Sequence, residues 1–234
     1  MLLIGNEWRD TGKHLAVRNP ATDQELGRVA VAGLEEVRQA LEAAQGALVE
    51  PLSSYQRSSL LRALHERLVA GREEMARLIC QETGKAIGEC RQEVDRALTT
   101  LQLSAEEALR VGGEVLPCDV TDQEVAKRAM AVRVPLGVVA AITPFNFPLN
   151  VPMHKVGPAL AGGNAVILKP SPQAPLTANR LGELAVEAGW PPGWLNILQG
   201  DHRVVEMLVA SDVQVINLTG GPAAGQAVSR YAFG

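Results

Sequence analysis

The chain has 234 residues, of which 47% are hydrophobic and 21% charged, a composition typical of a globular protein with a substantial core. Its formal net charge of -4 and its 3% of aromatic residues argue against a nucleic-acid or anionic-membrane partner. No apolar run is long enough to span a bilayer, and no signal peptide is visible. The three cysteines fit neither a disulfide framework nor a metal-binding motif. We therefore expect a cytoplasmic protein without a metal site.

Residues 1–124 are predicted to form short strands followed by helices. The strands are expected at Leu2–Ile4, Trp8, residues 15–17 and residues 26–31. From Leu34 onwards apolar side chains recur with helical spacing, which predicts four helices with charged outer faces. Ser53 or Ser54 is expected to cap the second helix, Gly84 to end the third and Gly112 the fourth.

Residues 125–135 are predicted to form a strand that does not belong to the core sheet. The run 125–134 alternates loosely between apolar and polar residues, which favours an exposed strand that pairs outside the core sheet.

The composition changes near residue 135, because residues 135–234 contain eleven of the 14 prolines but only ten of the 48 charged residues. Short, nearly uncharged strands alternate there with helices. The strands are expected at residues 137–143, 165–168, 195–198 and 213–219. Such strands are typical of a parallel sheet buried on both faces. We therefore predict an α/β fold in which residues 136–234 form a Rossmann-like, doubly wound parallel sheet, preceded by the N-terminal helical segment and short β-strands.

Ligands of such a sheet bind at the carboxyl ends of its strands, so the residues that follow each strand are the candidates for function. After the first strand, Asn146 stands in the run Thr143-Pro144-Phe145-Asn146-Phe147-Pro148. A rigid amide there could donate a hydrogen bond to an oxyanion. Alternatively, it could hydrogen-bond to its own backbone in an ordinary turn.

Two further strand ends carry candidate binding residues. Lys169 could donate to ribose hydroxyls or to a phosphate, or it could be a solvated lysine at a strand end. Gly220 and Gly221, followed by Pro222, could bring the backbone and a helix N-terminus close to a pyrophosphate. A glycine-rich turn by itself is a weak signal, and this one is neither a Walker A loop nor a GxGxxG fingerprint.

These stretches resemble the aldehyde dehydrogenase superfamily over nearly the whole chain. The run from Val134 to Leu149 carries the most specific similarity, and five other stretches match in the same order. They are Asn19-Pro20-Ala21-Thr22, Glu82-Thr83-Gly84-Lys85, Pro158 to Asn164, Leu168-Lys169-Pro170-Ser171, and Ala188 to Gly193 with Leu195-Asn196.

The resemblance implies an enzyme that oxidises an aldehyde to a carboxylic acid and reduces NAD or NADP. It implies that Asn146 belongs to the oxyanion hole. The residues implied to bind the cofactor are Ile142, Thr143, Pro144, Phe145, Lys169, Ser171, Gly220 and Gly221. Residues 125–134 would belong to an oligomerisation hairpin, so a homo-oligomer is expected.

Two departures from the family pattern concern the cofactor. Pro172 stands where NAD-preferring relatives often have a glutamate, which leaves NADP open, and Gly221 stands where serine is usual. The family also needs a cysteine nucleophile and a glutamate base, which we expect beyond Gly234, and Cys80, Cys90 and Cys118 are not expected to replace that nucleophile. The chain alone is therefore expected to be inactive.

Two other functions remain open at this stage. One is a non-catalytic binding or assembly module that is built on the same fold. The other is the related acyl-phosphate reductase branch, against which the run Phe145-Asn146-Phe147-Pro148 argues.

Overall fold

The computed structural model of the chain describes residues 1–118 and 128–233. Its strands are β1 Leu2–Ile4, β2 Glu7–Arg9, β3 His14–Arg18, β4 Glu25–Ala30, β5 Gly113–Leu116, β6 Ala129–Val132, β7 Val138–Ile142, β8 Ala165–Lys169, β9 Leu195–Ile197 and β10 Val215–Leu218. Its helices are α1 Leu34–Ala47, α2 Ser54–Ala70, α3 Arg72–Thr83, α4 Ile87–Glu107, α5 Asn150–Ala161, α6 Leu176–Glu187, α7 His202–Val209 and α8 Pro222–Phe233.

The central sheet has six strands in the order β10-β7-β8-β9-β1-β2. The first four are parallel, and β1 and β2 continue the sheet in antiparallel fashion. Helices α5 and α6 pack on one face, and α1 and α7 pack on the other. The fold class predicted from the sequence, a Rossmann-like α/β sheet with an N-terminal helical segment, is confirmed.

Strands β7, β8 and β9 are buried because the sheet has a hydrophobic core on each of its faces. Alternate residues of β7 face opposite ways: Val139 and Ala141 belong to the core under α5 and α6, while Val138 and Ala140 belong to the core under α1 and α7. Helices α2, α3 and α4 form an outer layer over α5 and α6. This outer layer brings charged side chains from α3 and α4 to the ends of the inner helices.

The N-terminal hairpin extends the central sheet, which the sequence did not predict. Leu3 pairs with Ile197 at the free edge of β9. The buried Asn196 side chain accepts a hydrogen bond from the backbone N–H of Gly5 at 2.9 Å, and the Asn6 side chain donates to the Trp190 carbonyl at 2.7 Å. These contacts join residues more than 180 positions apart, so no local pattern could indicate them.

Strand β10 corrects the prediction that every parallel strand is buried on both faces. Val215 to Leu218 are half-buried or exposed, and among the described residues β10 pairs only with β7. Within the described residues it lies at the edge of the sheet, and its apolar sequence by itself could not distinguish an edge strand from a central strand.

The segment around residue 130 forms a strand outside the central sheet, as predicted. Ala129–Val132 pairs in antiparallel register with Gly113–Leu116, which was not predicted as a strand. Residues 125–127 of the predicted strand lie outside the described part of the chain.

Two of the three predicted helix ends agree with the structure, whereas the prediction that Gly112 ends the fourth helix is wrong, because α4 already ends at Glu107 and residues 108–110 form a turn. Ser53 caps α2 in a capping box with Gln56, and Gly84 ends α3 in the left-handed conformation with φ of +69°. None of the described helices combines the length and apolarity that a transmembrane span requires. The described residues also contain no group of three or more potential metal ligands.

Candidate functional site

Strands β7, β8 and β10 end side by side, so that their carboxyl ends form one end of the central sheet. The last residue of β7, Ile142, is in register with Lys169 at the end of β8 and with Leu218 at the end of β10. Beyond the strands, the Thr143 N–H donates to the Lys169 carbonyl at 3.2 Å and the Thr219 N–H donates to the Ile142 carbonyl at 3.0 Å. The loops that begin at residues 143, 170 and 219 therefore leave the sheet side by side, and they contain most of the candidate residues.

The loop after β7 passes from buried to exposed. Ile142 and Thr143 are buried, Pro144 is half-buried, and Phe145 is 52% exposed. Asn146 is exposed, and its side chain makes no hydrogen bond to any described residue, so the alternative of an ordinary side-chain-to-backbone turn is not what the structure has. The Thr143 hydroxyl is buried without a partner among the described residues. An unpaired buried hydroxyl is costly unless a ligand or water satisfies it, and here it lies directly at the strand ends.

A lysine from the turn between α3 and α4 holds this loop. The Lys85 ammonium donates to the Asn146 carbonyl and lies 4.1 Å from the centre of the Phe147 ring. The same ammonium is 3.3 Å from Glu93, whose carboxylate is only 1% exposed. Lys85 thus fixes the backbone of Asn146 and leaves the side-chain amide free.

Glu93 also caps α5, which follows the loop. Its Oε1 accepts hydrogen bonds from the backbone N–H groups of Leu149 at 2.9 Å and Asn150 at 3.2 Å. Helix α5 has no side-chain cap of its own, so a carboxylate from α4 satisfies its first N–H groups and complements its dipole. We call the Lys85–Glu93 pair with these contacts the loop clamp.

A second buried glutamate caps α6 in the same way. Glu82 at the end of α3 accepts from the N–H groups of Leu176 at 2.6 Å and Thr177 at 2.8 Å, and from the Thr177 hydroxyl at 2.5 Å. Burial raises the pKa of Glu82 to about 7, although these three donors act in the opposite direction.

Among helices α5 to α8, only α8 has an N-terminus that no described carboxylate caps. Glu93 caps α5, Glu82 caps α6, and Asp201 caps α7 by accepting from the Arg203 N–H. No described carboxylate bonds to the first turn of α8, which begins at Pro222 directly after Gly220 and Gly221. Both glycines are exposed, so a ligand could reach this N-terminus.

Lys169 is buried, which excludes the solvated lysine considered above. The residue is 3% exposed, and its ammonium makes no hydrogen bond or ion pair with a described side chain. Burial lowers the pKa of Lys169 to about 8, while the charge of Asp201 acts in the opposite direction. An ammonium on a buried residue that has no partner among the described side chains favours binding of an oxygen-rich or anionic ligand group.

Ser171 lies two residues after Lys169, and the next residue, Pro172, lines a cleft. The half-buried Ser171 hydroxyl accepts from the Gln173 N–H at 3.3 Å. The cleft has a volume of about 390 Å³, and it is lined by Phe145, Glu82, Thr83 and residues 172–174 together with parts of β3. The cleft therefore lies between the loops that follow β7 and β8 and the N-terminal strand β3.

Sequence reasoning missed Lys155, a second buried lysine. It lies on α5 with 5% exposure, and its ammonium donates to the side-chain oxygen of Asn217 on β10. Burial lowers the pKa of Lys155. The sequence did contain a sign of this burial, because Lys155 stands between the apolar residues Met153 and Val156 in an otherwise uncharged helix.

Lys85, Glu82 and Glu93 were also not assigned a function from the sequence. Glu82 and Lys85 stand in a matched stretch of the family resemblance, which was the only available sign. Glu93 lies on a helix whose other charged residues face solvent, and only its contacts with α5 distinguish it.

Comparisons with known proteins agree with this geometry. A family model described as the aldehyde dehydrogenase family matches residues 8–233. The 3-sulfolactaldehyde dehydrogenase of Priestia aryabhattai is 42% identical over 233 residues, which are 99% of this chain and 49% of that protein. The chain therefore spans about half the length of the curated relatives it matches.

Solved structures agree equally well. The NADP-dependent glyceraldehyde-3-phosphate dehydrogenase of Bacillus halodurans, complexed with NADP, is 33% identical with a TM-score of 0.93. PnpE in complex with nicotinamide adenine dinucleotide is 32% identical with a TM-score of 0.94. Each comparison covers 99% of this chain, and it covers 50% and 48% of the two neighbours respectively.

Proposed function

The chain belongs to the aldehyde dehydrogenase family, and we propose that it is the NAD- or NADP-binding portion of an enzyme that oxidises an aldehyde to a carboxylic acid. The observation that carries this proposal is the convergence of three loops at Ile142, in register with Lys169 and Leu218. The complexes of the two structural neighbours with NADP and with NAD support the choice of ligand.

The residues at this edge fit a dinucleotide. Lys169 is a buried residue whose ammonium makes no hydrogen bond to a described side chain, and the buried hydroxyl of Thr143 has no partner among the described residues. Lys169, with Ser171 beside it, would donate to ribose hydroxyls or to a 2′-phosphate. Gly220 and Gly221 would let the pyrophosphate reach the N-terminus of α8.

The nicotinamide would lie along the loop that follows β7. Ile142, Thr143, Pro144 and Phe145 form a path from the buried sheet to the exposed Asn146. When bound, the cofactor supplies the hydride acceptor. The chain's own contribution is to hold the ring against this path and to exclude water from the buried end of the loop.

We assign Asn146 to stabilising the oxyanion that forms when the aldehyde carbonyl becomes tetrahedral. Its amide is free to donate, and the loop clamp holds its backbone in place. A pre-oriented donor of this kind contributes about 3 to 4 kcal/mol to transition-state stabilisation.

The isolated chain is proposed not to turn over aldehydes. Cys80 and Cys90 are both directed at the Lys85 carbonyl, and Cys118 lies near the Leu116 carbonyl. None of these thiols is therefore assigned as the nucleophile. Aldehyde-dependent formation of NADH or NADPH by the purified chain would contradict this part of the proposal.

The test of cofactor binding is a thermal-shift titration with NAD and with NADP. A ligand at 100 times its Kd stabilises the folded state by about 2.7 kcal/mol, so the midpoint should rise with at least one of the two. Lys169→Met should weaken that binding by tenfold or more. Arg62→Met removes an exposed cation from the outer layer and is the matched control, with unchanged binding. No shift with either dinucleotide at millimolar concentration would refute the proposal.

We further infer that the β5–β6 hairpin mediates self-association. Several of its apolar side chains are exposed, among them Val115 at 73%, Met130 at 71% and Val132 at 68%. Such a surface is typical of an interface. Light scattering should show an oligomer for the native chain and a smaller species for Met130→Lys; equal masses for the two proteins would contradict the inference.

A further inference from the structure

Two cysteines that are ten residues apart meet at the turn between α3 and α4. Cys80 lies three residues before the end of α3, and Cys90 lies three residues after the start of α4. The Cys80 thiol donates to the Lys85 carbonyl at 3.0 Å, and Cys90 Sγ lies 4.0 Å from the same oxygen. Both sulfur atoms therefore lie within 4.0 Å of one carbonyl oxygen.

The surroundings of the two thiols differ in a way that suits sequential oxidation. Cys80 is half-buried and reachable from solvent, whereas Cys90 is fully buried. Burial raises the pKa of the Cys90 thiol to about 11, and the neighbouring Cys80 adds to this rise. Cys90 is therefore a poor first nucleophile, but it is placed to react with a modified Cys80.

We propose that Cys80 and Cys90 form a reversible intramolecular disulfide when the chain meets a peroxide. The Cys80 thiolate attacks one oxygen of hydrogen peroxide, the O–O bond breaks, and a sulfenic acid and hydroxide form; the hydroxide takes up the proton that the thiol released. The Cys90 thiol then attacks the Cys80 sulfur, the S–S bond forms, and water leaves with the Cys90 proton. One peroxide is reduced to two waters and two thiols are oxidised.

The disulfide would act on the loop clamp through Lys85. In the reduced state both thiols are directed at the Lys85 carbonyl, while the Lys85 ammonium holds the Asn146 carbonyl. Oxidation removes both S–H groups from that carbonyl. It also adds a covalent cross-link between α3 and α4. The loop that carries Asn146 would then be held less firmly. This inference does not depend on cofactor binding.

Peptide mapping of the whole chain tests the disulfide directly. Reduced protein is treated with a small excess of hydrogen peroxide, the remaining thiols are alkylated, and the protein is digested with trypsin. Because trypsin cleaves after Arg77, Lys85 and Arg91, Cys80 and Cys90 fall on separate peptides, 78–85 and 86–91. We expect these two peptides to be linked, to separate again with dithiothreitol, and Cys118 to remain alkylated.

Variants and hydrogen exchange complete the test. Cys90→Ala should leave Cys80 as a sulfenic acid that dimedone traps, and Cys118→Ser should form the same link as the native chain. Linked peptides that contain Cys118, or unlinked peptides at peroxide levels that oxidise Cys118, would overturn the proposal. Amide exchange at Leu149 and Asn150 should be faster after oxidation, and equal rates in both states would overturn the coupling to the loop clamp.

Discussion

Removing the carboxylate of Glu93 is the most informative single perturbation of the candidate site. Glu93→Ala deprives the N–H groups of Leu149 and Asn150 of their acceptor and leaves the Lys85 ammonium without its counter-ion. A buried donor that loses its partner costs about 1 to 3 kcal/mol, and breaking a buried ion pair costs about 3 to 5 kcal/mol.

The expected total lies at the lower end of that range. Leu149 is fully buried, but Asn150 is half-buried and the Lys85 side chain is 23% exposed, so water can partly replace the lost contacts. We therefore expect Glu93→Ala to lower the free energy of unfolding by about 3 kcal/mol. Glu93→Gln keeps one acceptor oxygen and should lose about half as much.

Urea unfolding measures this effect. Trp190 and Trp194 are both 2% exposed, so their fluorescence reports loss of the core. With a slope of about 2 to 3 kcal/mol per molar urea, a loss of about 3 kcal/mol moves the midpoint down by about 1 M. Glu89→Ala removes an exposed carboxylate from the same helix and should cost less than about 1 kcal/mol. Equal losses in Glu93→Ala and Glu89→Ala would show that the loop clamp does not hold α5.

Two further predictions concern stability elsewhere in the fold. Since burial raises the pKa of Glu82 from its ordinary value of 4.5 to about 7, the folded state holds this proton more tightly than the unfolded state; the associated stability is complete below pH 4.5 and is lost as pH rises through about 7. From pH 5 to pH 8 the native chain should lose on the order of 3 kcal/mol more unfolding free energy than Glu82→Gln, as measured in urea at both pH values, and identical slopes would contradict the assignment. Gly193 has φ of +85°, and a Cβ there would lie 2.1 Å from the Ala43 carbonyl oxygen, so Gly193→Ala should lower the unfolding free energy by about 2 to 4 kcal/mol. Gly46→Ala in α1 meets open space and should instead be neutral or stabilising by up to about 1 kcal/mol, and thermal unfolding of both variants checks the difference.

The sequence by itself predicted the strand and helix alternation after residue 135. Parallel strands buried on both faces must be short and nearly uncharged, and prolines and glycines mark their ends, so the pattern is local and visible. For the same reason the candidates Ile142, Lys169 and Gly220 could be found before their proximity was known. Chain order and the rule that ligands bind at carboxyl ends of strands were sufficient for that step.

The burial and the hydrogen-bond partners of each candidate residue could not be predicted from the sequence pattern. Lys169 is buried and lacks a partner among the described side chains, whereas Asn146 is exposed, and both follow apolar strands of similar composition. Burial depends on which helices cover a position, and that information is distributed over the chain.

The tertiary structure alone decided what holds the site together. Glu82 reaches Leu176 and Thr177 across more than 90 positions, Glu93 reaches Leu149 across 56, and the N-terminal hairpin pairs with β9. Local periodicity determines which segments become helices and strands, because it sets which face of each can be buried. The partners of buried polar groups are determined only when distant segments pack together, since no local pattern records which carboxylate will meet which helix end.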